Sequence, residues 1–203
     1  MTGSRLRIAA IVEGDGEVQA VPVLLRRLVA EVTPGLWADV AMPWRMSRAS
    51  MVAPGGIEST ISRMASDSNA ITAFLILLDA DDDCPADLGP RLLRRAQAAR
   101  PDLRVAVVLA NREFEAWFLA AADSLRGCAG LSVDLQAPAA PEQPRGCKEW
   151  LSNRRIDGRP YSPKKHQTSL VAQMDLHSAR KNSPSFDKLW RDVEYLITGE
   201  RAG

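Results

Sequence analysis

Residues 70–78, AITAFLILL, form an apolar run without polar alternation, and the run stops in DADDDCP, four aspartates within five positions. A strand that is apolar on both faces must be covered on both, as is a central strand of a parallel sheet between helices. The surrounding chain has the texture such a sheet needs. LRIAAIV, residues 6–12, reads as a first strand closed by the turn signal EGDG. Val18, Val21, Leu24, Leu25, Leu28 and Val29 recur at helical spacing and predict a helix over 17–31, with Pro22 tolerated near its start. A second strand is expected over 37–44, a loop over 45–56 and a helix over 57–66. The apolar run is the third strand. A helix over 86–99 and a fourth strand over 104–110 follow, then an amphipathic helix over 111–125 with Asn111 as its N-cap. Strand alternating with helix predicts an α/β, Rossmann-like doubly wound parallel sheet over residues 1–126.

After Gly127 the texture changes. Residues 127–147 are rich in Pro, Ala and Gly and read as an extended connection. The remainder holds short helices expected over 148–153, 168–174 and 185–197. Residues 127–203 are thus expected to be a mostly helical cap on the sheet. This cap is basic: from Arg145 to the end there are 12 Lys/Arg against 7 Asp/Glu, a net of +5, while the rest has 14 against 18, or −4, which together make the formal +1. The near-neutral total gives no global attraction to nucleic acid or membrane, but the split predicts two surfaces of opposite sign.

Three cysteines without a CxxC pair argue against a disulfide framework and a zinc ribbon. The N-terminal apolar run is too short for a signal-peptide core, and no segment approaches the roughly 20 apolar residues of a membrane span. A cytoplasmic protein is expected.

In a parallel sheet, ligands gather at the carboxyl ends of the strands. Glu13 follows the first strand, Asp79 and Asp81 the third, and Glu113 and Glu115 the fourth. Residues two apart in extended chain face the same way, so Asp79 and Asp81 are expected to project together, with Asp82 and Asp83 shaping the next turn and Asp83 within reach of a second metal. Such carboxylates repel one another unless a cation joins them, and Mg2+ suits few carboxylates plus water and phosphate, with Mn2+ as a substitute. The bland alternative is that these aspartates merely end a strand and cap a helix. Glu17 reads first as a helix first-turn acid. Glu113 and Glu115 lie on different helix faces, so only one is expected to face the site. His166 and His177 are too far apart for a ligand motif, and Trp117 and Phe118 read as core.

The order of Glu13 and then Asp79-x-Asp81 resembles the TOPRIM domain of topoisomerases, primases and several nucleases. More closely, VEGDGEVQAVPVLLRRL, ILLDADDDCP, REFEAWFLA, KEWL and ARKNSPSF, in that order, resemble the small TOPRIM-like family labelled domain of unknown function 4276. The resemblance implies a TOPRIM-like fold and a metal site of Glu13, Asp79 and Asp81, with Glu13 as acid/base or ligand and Glu115 in a motif shared with related nucleases; Glu113 and Glu17 are weaker matches. It also implies an ATPase partner in prokaryotic defence.

Lys148, Lys164, Lys165, Arg180, Lys181, Ser183 and Ser185 are candidates for phosphate or nucleic-acid contact, since Arg forks, ammonium groups, hydroxyls and a helix N-terminus near Ser185 all bind phosphate. A solvated charged face is the bland alternative for the cations. The leading expectation is a Mg2+-dependent phosphoryl-transfer enzyme, a nuclease on DNA or RNA. The alternative is a non-catalytic metal-binding or regulatory module acting through a protein partner. A receiver-like phosphoacceptor ranks last, because LANREFE after the fourth strand has no lysine.

Overall fold

The computed structural model describes residues 6–68 and 70–201. Five parallel strands form one sheet: β1 (Arg7–Val12), β2 (Asp39–Val40), β3 (Trp44–Arg45), β4 (Ala73–Asp79) and β5 (Arg104–Ala110). The path runs β2-β1-β4-β5, and β3 also pairs with β1. Ile8 to Val12 of β1 lie opposite Ala73 to Leu77, and β4 is paired with β5 along its whole length, Asp79 opposite Ala110.

Nine α-helices are present among the described residues: α1 (Glu17–Val32), α2 (Arg48–Val52), α3 (Gly56–Asp67), α4 (Pro85–Ala99), α5 (Ala116–Ala120), α6 (Cys147–Ser152), α7 (Pro163–Gln173), α8 (Leu176–Asn182) and α9 (Pro184–Thr198). The period of two in the strands divides them over two cores. Ala9, Ile11, Phe74, Ile76, Leu78, Val105 and Val107 pack on α2, α3 and α4. Ile8, Ala10, Val12, Leu75, Leu77, Ala106 and Val108 face the other way, into a larger core shared by α1, α5 and the helices beyond residue 146. There α7 lies on α1, and α9 packs on β5 and α1. Both faces of β4 are buried, which is the reason for its unbroken apolar run.

The departures from sequence expectation have local causes. The strand expected over 37–44 is two short pieces, because Pro43, which has no N–H to give a ladder, lies between them. The loop expected over 45–56 contains α2, whose N-cap Ser47 accepts from Ser50 N at 3.3 Å. The helix expected from Asn111 begins only at Ala116, because Arg112 adopts a left-handed φ of 65°. Asn111 is not its N-cap: its amide donates to Glu142 Oε2 at 3.0 Å. The helix expected over 168–174 starts five residues earlier, at Pro163, and α8 is an addition, capped by Asp175. Trp117 and Phe118 are fully buried, and all three cysteines are free. Among the described residues no helix is long and apolar enough to cross a membrane.

Candidate functional site

The carboxyl ends of β1, β4 and β5 open into one cleft of about 490 Å³. Glu13 leaves β1, and the Gly14-Asp15-Gly16 turn reverses the chain into α1, so that Glu17, one helical turn on, points back over the strand end. Its Oε2 accepts from Glu13 N at 3.2 Å. A Cβ at Gly14 would sit 2.8 Å from Glu17 Oε1, so any larger residue there would displace this carboxylate. Asp79 has the parity of Leu75 and Leu77 and therefore emerges on the α1 side; its Oδ1 accepts from Phe114 N at 2.7 Å and ties the end of β4 to the turn after β5. Glu115 is fully buried and its Oε1 accepts from Tyr161 OH and Gln167 Nε2, both at 3.0 Å. Lys148 of α6 reaches in between, 3.2 Å from Glu113 Oε2 and 3.1 Å from Glu115 Oε2. Arg45, Ser47, Arg48 and Lys164 complete the rim.

The close approach of two helix starts forms the floor. A Cβ at Gly16 would lie 2.2 Å from Gln167 Oε1 and 2.8 Å from the Pro163 carbonyl carbon, so glycine lets α7 dock against α1 and brings Gln167 to Glu115.

Burial dominates the electrostatics. It pushes Glu17 up to about 7, helped by the charges of Glu115 and Glu13 and opposed by the backbone amides of Gly14 and Glu13. Burial, and then Glu17 and Glu115, hold Asp79 well above the ordinary aspartate range. Glu13 is raised by burial and by Asp81, against the Asp79 backbone amide. Burial works against the Lys148 ammonium, but Glu115, Asp79 and Glu113 outweigh it and raise its pKa, so it stays charged. Burial followed by Glu113 and Glu115 pushes the Cys147 thiol up to about 12, which leaves it protonated and a poor nucleophile.

Two carboxylate oxygens, Glu13 Oε2 and Glu115 Oε2, are buried without a hydrogen-bond partner; the Lys148 ammonium is close to the second but not aligned with it. Orphaned buried oxygens and acids lifted by burial form an all-oxygen donor set short of positive charge, a chemistry that fits a hard divalent cation. Among the described residues, however, no three His, Cys, Asp or Glu side chains stand together as a metal cage.

The structure brings Glu13, Asp79, Glu115, Lys148 and Lys164 to the cleft. It does not keep Asp79 and Asp81 side by side. Asp81 takes a left-handed φ of 51°, its N–H donates to Arg112 O at 3.1 Å, and it lines a separate recess of about 150 Å³ with Asp82, Arg112, Glu113 and Arg145. The strand alternation ends at Asp79, so the two aspartates diverge. Arg48 binds this loop throughout: it donates to the carbonyls of Asp79 and Ala80, pairs with Asp83 and lies 3.5 Å from Asp81 Oδ2. Glu113 and Glu115 both touch Lys148, since residues 112–115 form a turn and not the helix that would have parted them, but only Glu115 lines the cleft.

Lys164 is 3.0 Å from Asp15, and Lys165 is exposed beside it without lining the cleft. Arg180 pairs with Asp187 at 2.8 Å and lies over the Trp190 ring, and Lys181 is exposed on α8. The anion at the start of α9 is the chain's own Glu142, held by the Ser183 hydroxyl and by Ser185 through its N–H at 2.9 Å and its hydroxyl at 2.6 Å. Arg180, Lys181, Ser183 and Ser185, like Lys165, lie outside the cleft.

Sequence reasoning undervalued Glu17 and missed Arg48, Tyr161 and Gln167. Glu17 was visible as Glu13 plus one helical turn; nothing in the spacing marks the others, which arrive by tertiary packing.

Fold and cleft define an α/β protein with a parallel sheet flanked by helices and a carboxylate-lined site at the carboxyl edge of that sheet. The family model described as "Domain of unknown function (DUF4276)" matches residues 12–194, and the chain belongs to that family. Searches of curated proteins and of solved structures return no match.

Proposed function

We propose that the cleft is the active site of a Mg2+-dependent phosphoryl-transfer enzyme of TOPRIM type, a nuclease acting on DNA or RNA. The observation that carries the reading is the meeting of Glu13, Glu17, Asp79 and Glu115 in one cleft, with two of their buried oxygens unpartnered and cations around the rim. Glu13 and Asp79 would hold the cation, with water and phosphate oxygens completing its shell. When bound, the cation supplies Lewis-acid polarisation of a phosphoryl oxygen and a more acidic bound water. The chain supplies the rest. Lys148 offsets negative charge developing on phosphoryl oxygens, and Glu17, at about 7, exchanges a proton near neutral pH. Arg45 and Lys164 at the mouth suit flanking phosphates. An ATPase partner in prokaryotic defence belongs to the proposal on resemblance alone.

The test is incubation of labelled single- and double-stranded DNA and RNA with Mg2+ or Mn2+. Asp79→Asn, which still offers an oxygen to Phe114 N, and Glu13→Gln are each expected to reduce cleavage about 100-fold or more. Cleavage retained in both variants rejects the assignment.

A second reading, a metal-binding or regulatory module without chemistry, is favoured by one observation: Arg48 already neutralises Asp81 and Asp83. Under it, Mg2+ at about 100 times its Kd raises stability by about 3 kcal/mol with no cleavage of any strand.

A further inference from the structure

An exposed apolar stripe lies on the outer edge of the sheet. Trp37, Met42 and Trp44 are 70%, 66% and 43% exposed. In β3, Trp44 lies opposite Ile11 and Arg45 opposite Val12, so successive residues face opposite sides of the sheet. Arg45 turns into the mouth of the cleft. There Asp15 bridges it, at 2.8 Å, to Lys164 of α7, at 3.0 Å. Trp44 turns outward under the guanidinium of Arg63 from α3, 4.2 Å from the ring centroid. An aromatic ring already stacked with one cation thus stands on an edge strand whose next residue lines a candidate phosphoryl-transfer cleft, which gives the two parts of a single-strand site: a π face for a base on one side of the edge and positive charge for the backbone on the other.

We propose that the substrate is single-stranded nucleic acid, with one base stacked on Trp44 and the strand crossing the sheet edge so that a phosphate further along exchanges for Asp15 between Arg45 and Lys164 before it enters the cleft. The proposal rests on the reading of the cleft as a nucleic-acid site. A duplex does not satisfy it, because its bases are stacked on one another and present no free face at a sheet edge. Recognition through the π face does not depend on base identity. Deoxyribose and ribose strands both offer this chemistry, and parallel dT and U oligomers separate them.

The experiment is fluorescence anisotropy of labelled dT20, U20 and a blunt DNA duplex on the full chain in chelator, where cutting does not interfere. Trp44→Ala is expected to weaken single-strand binding about tenfold, the worth of one stacked base, while Trp44→Phe retains most of it. Trp37→Ala, at the far end of the stripe, is expected to leave it unchanged. Equal binding by wild type and Trp44→Ala, duplex bound as tightly as single strand, or no binding of any oligomer by wild type overturns the proposal. Single strands bound through Trp44 but never cut with Mg2+ or Mn2+ would remove the proposed chemistry and keep this site.

Discussion

Burial sets Glu17 apart from an ordinary first-turn acid. Its pKa of about 7 lies above the 4.5 of a free glutamate, so between these values the folded chain holds a proton that the unfolded chain has lost. Stability is therefore greatest below pH 4.5 as far as Glu17 is concerned, falls as pH rises toward 7, and is level beyond. The loss is about 3 kcal/mol, and Glu13 and Asp79, both raised, act in the same sense. Melting curves at pH 5, 6, 7 and 8 in chelator should show this decline, and Glu17→Gln, which still offers an oxygen to Glu13 N, should flatten it. Mg2+ should also flatten it, since a bound cation favours the charged carboxylates. Gly16 gives a second expectation. As the N-cap of α1 it gains nothing from Ala, and an added Cβ would meet Gln167 and the Pro163 backbone, so Gly16→Ala should cost about 1–3 kcal/mol. That is a fall in Tm of roughly 2–12 °C.

The loop of residues 80–84 takes its shape from an element distant in sequence. Arg48 on α2 donates to two carbonyls of the β4 end and pairs with Asp83, while Arg112 donates to Asp81 O and Asp82 Oδ1 at 3.1 Å. Arg48→Ala should raise amide hydrogen exchange across residues 80–84 and leave β4 itself protected, because β4 is paired on both sides. Loss of protection throughout β4 would contradict this. The strands were legible as elements wherever apolar runs coincided with turn signals, as for β1, β4 and β5. The turn at 112–115 was not, because REFEAWFLA has helical spacing throughout. Only the left-handed Arg112 and the Asp79 carboxylate on Phe114 N delay the helix to Ala116.

The basic C-terminal third is built into the main core: α9 packs on β5 and α1, α7 lies on α1, and Leu170, Val171, Leu189 and Val193 are fully buried there. The whole chain is expected to melt in a single calorimetric transition. A fragment ending at Arg126 should lack one, since it would expose that face of β4 and β5. Strand-helix alternation, the two-sided apolar β4 and the acids at three strand ends could be read from the chain alone, because hydrophobic period and turn chemistry act over a few residues. The partners of those acids could not. Whether Asp81 stands beside Asp79, whether Glu17 caps or titrates, and whether Lys148 meets Glu115 are decided by side chains brought from about 30 to 50 or more residues away. Burial and charge at such contacts depend on packing in three dimensions, which no local pattern encodes.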